Sequence, residues 1–209
     1  MNAARSFGIA VALTGVLTAA TACGNSEKSS SAKVSSSGST STGSAGSAAA
    51  GPSTTQPGSA ALGDYTYLLI QASDIGHDFT AIGPPTQNSG DTAGAGQNFG
   101  NPDRTRTISD NIYVSIDPTV ALQSESDRLS AFPKYVTSPP QPFEIGTNGW
   151  IGVGKSPDKS KAVTYLVFSE GKATVTMEFD SAPDDPVPQE LVLDVARKQD
   201  GAVKSRLLF

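Results

Sequence analysis

A run of the chain that cannot fold does most to limit what the rest can become. From Gly24 to Ala60 the sequence is Ser, Thr, Gly and Ala with a few prolines, and Val34 is its one large apolar side chain. Such a tract has nothing to bury against the entropy of ordering its backbone. It reads as a low-complexity tether with a root-mean-square reach of roughly 30–36 Å. All packing must therefore come from residues 62–209. That is about the length of one ordinary domain, and enough to enclose a core without disulfide help.

The residues before the tether read as an address. Arg5 is the lone charge of a short basic start, and Phe7 to Ala19 is an apolar run of signal-peptide length, too short to span a bilayer. Ala20-Thr21-Ala22 then supply the small side chains that a signal peptidase groove requires, and Cys23, the single cysteine of the chain, follows them. This spacing predicts a lipoprotein signal over 1–22, with Cys23 as the acylated N-terminus of the mature protein. The region 23–61 is then lipidated cysteine plus linker. Two acyl chains are sufficient for firm attachment. The formal charge of −5 argues against a nucleic-acid partner and against docking on an anionic leaflet. The lipid on Cys23 remains as the membrane contact, on the extracytoplasmic face.

Within 62–209 the pattern predicts an α+β domain, an antiparallel sheet of about five strands with helices on one face. Tyr65, Leu68, Leu69 and Ala72 fall at helical spacing, so Leu62–Gly76 reads as a short helix. Phe79 to Asp103, rich in Gly, Pro, Asn and Thr, reads as a long irregular loop with Phe99 as its apolar anchor. Ile108, Ile112, Val114 and Ile116 mark a strand. Asp117-Pro118 is a helix start, and Ala121, Leu122, Leu129 and Phe132 form the stripe that follows it. Asn148-Gly149 predicts a hairpin turn between Phe143–Ile145 and Trp150–Val153. Glu170-Gly171 predicts a second hairpin, whose last strand buries Val175, Met177 and Phe179 and wets Thr174, Thr176 and Glu178. Val192, Val195, Gln199, Val203 and Leu207 define a closing helix over 188–207.

The chemistry-bearing residues are sparse. His77 is the only histidine and sits in Ser73-Asp-Ile-Gly-His-Asp78. It allows a serine-type hydrolase reading, but without a nucleophile motif a solvated loop histidine outweighs a general base. Asp180, Asp184 and Asp185 could gather round calcium, yet their spacing fits no calcium loop. Gly152-Val-Gly-Lys-Ser156 lacks the spacing of a phosphate-binding loop. Trp150 could line a groove or close a hairpin core. No metal or cofactor is expected. The candidate ligand contacts are Trp150, Phe99 and His77.

With its signal, Cys23, Ser/Thr/Gly/Ala tether and cysteine-poor domain, the chain resembles mycobacterial or actinobacterial cell-envelope lipoproteins of uncharacterised function. Leu68 to Thr80, the Val163–Phe179 hairpin and Val192 to Gln199 resemble segments of such ectodomains. The resemblance implies location and fold class and transfers no catalytic residue. The expected function is a non-enzymatic binding module for an apolar or envelope-derived ligand or a protein partner, with a hydrolase using His77 or a structural or antigenic envelope protein as alternatives.

Overall fold

A computed structural model describes residues 56–207. Cys23, the signal segment and most of the tether lie outside these residues. Among them, no helix is long and apolar enough to cross a membrane.

The sheet has eight strands, not about five. In chain order they are β1 (Thr80–Ala81), β2 (Thr86–Ser89), β3 (Thr92–Gly100), β4 (Thr107–Val114), β5 (Gln141–Phe143), β6 (Asn148–Lys155), β7 (Ala162–Glu170) and β8 (Ala173–Ser181). Every pairing is antiparallel, in the spatial order β1-β3-β4-β8-β7-β6-β5, with β2 also on β3. The helices are the single turn α1 (Ala72–Ile75), α2 (Pro118–Ser130) and α3 (Gln189–Arg206), and short 3-10 turns cover Thr66–Leu68 and Phe132–Lys134.

The additional strands come from the segment 79–103. Its Gly- and Ala-rich stretch is β3, which pairs with β4 from Gly94↔Tyr113 to Gly100↔Thr107. Ala93, Ala95 and Phe99 alternate into the core. Between them Gly94 has φ +155, and a Cβ there would lie 2.0 Å from the Ile112 carbonyl oxygen, so the close approach of β3 to β4 demands glycine.

The helices pack on both faces of the sheet, not on one. Leu166 and Phe168 of β7 and Val175, Met177 and Phe179 of β8 pack in one cluster with Val192, Val195, Ala196 and Val203 of α3. The alternate residues Val163, Tyr165 and Val167 form a second cluster with Phe132 and Val136, just beyond α2. Thr174 and Thr176 are consequently buried and not wet. α2 itself shields them, and the Thr174 hydroxyl donates to the Ala121 carbonyl at 2.8 Å. The inward stripe of α2 also differs from expectation, because Leu122 is exposed while Ala121 and Glu125 are buried.

Leu62–Gly76 is not one helix. Leu68, Leu69 and Ile70 are all buried, and three consecutive residues cannot share one face of a helix. The chain is extended at Leu69, with φ −71 and ψ 145. Gln199 of α3 satisfies the break: its amide donates to the Leu68 carbonyl and accepts from the Ile70 N–H, both at 3.0 Å. The first hairpin turn also moves. Asn148 and Gly149 begin β6, and the turn is carried by Gly146 at φ +58. The β7–β8 hairpin, the Asp117 cap of α2 and the α3 stripe are as expected. The Asp117 carboxylate accepts from the Val120 N–H at 3.0 Å. Residues upstream of Leu62 also join the domain: Ser59 bridges to Ser115, and the Ala60 N–H donates to the Val114 carbonyl.

Candidate functional site

On the α2 side the helix covers the β7–β8 half of the sheet and leaves the β3–β4 half open. Three hollows lie along this boundary. One of about 340 Å³ is floored by Gly94, Gly96 and Asn111 and walled by the β2–β3 hairpin. A second of about 550 Å³ lies between α2 and residues 56–59, lined by Val120, Gln123, Ser124 and Arg128. A third of about 160 Å³ is lined by Asn111, Arg128, Tyr135, Tyr165, Thr176 and Glu178. Tyr113 lines all three, Asn111 the first and third, and Arg128 the second and third, so the hollows adjoin and are called the cleft.

Local sequence explains this shape. Ser109, Asn111 and Tyr113 alternate with Ile108, Ile112 and Val114, so β4 turns polar groups to the cleft and apolar ones to the α3 core. Gly96 makes room for Asn111, since a Cβ would stand 2.6 Å from its Oδ1. The last turn of α2 carries Arg128, whose guanidinium carbon lies 3.4 Å from the Tyr113 ring centroid. Tyr135 stacks on Tyr165 with ring centroids 4.3 Å apart, and Phe132 meets Tyr165 edge-on at 4.9 Å. Burial pushes the Tyr165 phenol above its ordinary value. At the far end, burial and then the neighbouring Asp180 raise Glu178 to about 7. Asp180 itself accepts from Lys161 at 2.5 Å.

Beneath α2 is a polar cluster around the buried Glu125. Glu125, 1 % exposed, accepts from Asn148 Nδ2 at 2.6 Å and from Ser169 Oγ at 2.5 Å. Burial raises its carboxyl, and the hydrogen bonds from Ser169 and Asn148 partly offset that. The cluster fastens the helix to β6 and β7 and so fixes the cleft wall.

The sequence candidates are not gathered in one place. Phe99 is 1 % exposed and belongs to the α3-side core. Trp150 is half-buried on the opposite face, against the cluster of Phe132 and Val167. His77 is exposed just after α1, which packs on α3, and no hydrogen bond ties its ring to another described residue. Asp180, Asp184 and Asp185 do not converge either, since they pair with Lys161, Lys155 and Arg106 respectively. Sequence reasoning missed Asn111, Tyr113, Arg128 and Glu178. The signal that could have found the first two is the polar half of the β4 alternation, and for Arg128 its place seven residues after Ala121 on the buried stripe.

No family model matches the chain, and no curated protein does. Among solved structures the chain is similar to the extracellular domain of PknH from Mycobacterium tuberculosis, with 8% sequence identity and a TM-score of 0.48, over 67% of this chain and 95% of that one. A likeness at that level transfers neither a residue nor a role.

Proposed function

We propose that the chain is an extracytoplasmic, lipid-anchored binding module of the actinobacterial envelope type, acting by binding and not by turnover. In this reading Cys23 holds it to the membrane, the tether supplies reach, and the cleft beside α2 takes the ligand or a segment of a partner protein. The observation that carries the binding role is the set of three adjoining hollows around Tyr113. Its polar lining favours a hydrogen-bonding ligand over the apolar one expected from sequence, because amide, hydroxyl and guanidinium groups reward polar partners and penalise apolar ones. The anchor rests on the spacing of Ala20-Thr21-Ala22-Cys23.

The test has two arms. Detergent-extracted full chain is incubated with envelope extract and analysed by native mass spectrometry and thermal shift. A retained ligand that Tyr113→Ala or Asn111→Ala releases supports the cleft; retention unaffected by either change refutes it. Intact mass of the mature N-terminus should show an acylated Cys23, and an unmodified thiol would remove the anchor.

A further inference from the structure

Arg128 lies where the second and third hollows meet. Its Nε is shut from solvent without a hydrogen-bond partner. Among the described residues, no carboxylate reaches ion-pair distance of its guanidinium. Asp127, its neighbour in sequence, instead accepts from Gln123 at 3.1 Å. This is a notable place for an unpaired cation, because the chain carries a net charge of −5 and could supply a partner readily. Arg106 pairs with Asp185 at 2.9 Å, and Arg206 donates to the Tyr67 and Leu69 carbonyls. Arg104 and Arg197 also lack an ion pair but lie exposed, so among the described arginines Arg128 is set apart by its buried, unpartnered Nε.

The Tyr113 ring holds the guanidinium in place without consuming its donors, since a cation over an aromatic face uses the π cloud and leaves the N–H fork free. With Nε shut from solvent, the two Nη groups are the donors left to the cleft, and such an oriented pair recognises a planar or tetrahedral oxyanion by two parallel hydrogen bonds. Asn111, which lines the same hollow, offers an amide donor beside it. Asp127 also borders that hollow and repels a ligand with many negative charges.

We propose that Arg128 is the anion-recognising residue of the cleft, and that the ligand presents to it one carboxylate or phosphate group on an otherwise uncharged or cationic body. This rests on the cleft being a binding site and adds the chemistry of what it binds.

The full chain is titrated with inorganic phosphate and separately with acetate, at constant ionic strength. Binding is followed by thermal shift and by the NMR resonance of the Arg128 Nε–H. A saturable shift with at least one anion is expected, and the preferred one distinguishes a phosphate from a carboxylate ligand. Arg128→Gln should weaken that binding at least tenfold. Arg128→Lys, which keeps the charge and loses the fork, should weaken it severalfold. The Nε–H signal is read in the unsubstituted chain, so the result stands even if a variant folds poorly. An Nε–H signal that neither anion moves, or Arg128→Gln binding like the parent, overturns the inference. An envelope ligand that binds parent and Arg128→Gln alike also overturns it, while leaving the cleft itself intact. An extract that yields no ligand for the parent counts against the cleft reading, and the anion titration then decides the Arg128 assignment separately.

Discussion

The two faces of the sheet are built from the same strands and each is covered by one long helix, of 18 residues for α3 and 13 for α2, yet they are held in different ways. Toward α3, β8 turns Val175, Met177 and Phe179 into a continuous apolar core. Toward α2 the same strand turns Thr174, Thr176 and Glu178, and the helix answers with Glu125 and Arg128. Apolar contact is additive and tolerant of small shifts, whereas hydrogen bonds are directional and reward one placement. The α3 face therefore holds the larger apolar core, and the α2 face, beside its smaller aromatic cluster, supplies a fixed cleft wall. Asp110 is the exception. It lies on the α3 face of β4, beside Gln97 on one flank and Met177 on the other, with both carboxyl oxygens buried and unpartnered.

That exception gives the sharpest way to break the comparison. Burial raises Asp110 to about 8. The folded protein thus holds this proton more tightly than the unfolded chain. The associated stability is complete below about pH 4 and is lost as pH rises through about 8, a swing of roughly 5 kcal/mol. Urea unfolding from pH 4 to 9 should show stability falling across that window, with Asp110→Asn removing most of the slope. A parallel profile in parent and variant would mean the carboxyl finds a partner in solution.

A smaller effect tests the apolar face directly. Phe179→Ala should cost about 3–5 kcal/mol by chemical denaturation, because it empties a fully buried site. On the polar face, Glu125→Ala should cost about 1–3 kcal/mol by leaving Asn148 and Ser169 without their acceptor. Its distinguishing mark is a loss of cleft binding larger than that caused by Phe179→Ala at a temperature where both variants are folded. Equal losses would show that the two faces are not separable in function.

What the sequence made legible follows the same division. The α3 stripe, the β7–β8 hairpin and the Asp117 cap rest on hydrophobic period or on a local turn and cap, and all three are found. β3 was hidden because its inward positions are mostly Ala and Gln and its outward ones Gly, so alternation in size left no alternation in hydropathy. The second helical layer was hidden because polar strand residues under a polar helix stripe look like two solvated surfaces. Glu125 reads as a surface acid until Ser169 and Asn148 are brought to it from 44 and 23 positions away. The cleft inherits this opacity, since Tyr113 and Arg128 meet only through tertiary packing.

The attachment of residues 56–60 has a mechanical consequence. A pull transmitted along the chain from its N-terminal side first loads the Gln56 N–H to Asp91 carbonyl bond, then the Ile116 to Gly58 and Ala60 to Val114 bonds. These same residues form one side of the hollow facing α2. Tension would peel that side away before it strained the hydrophobic interior, so the hollow facing α2 opens under force while the sheet stays folded.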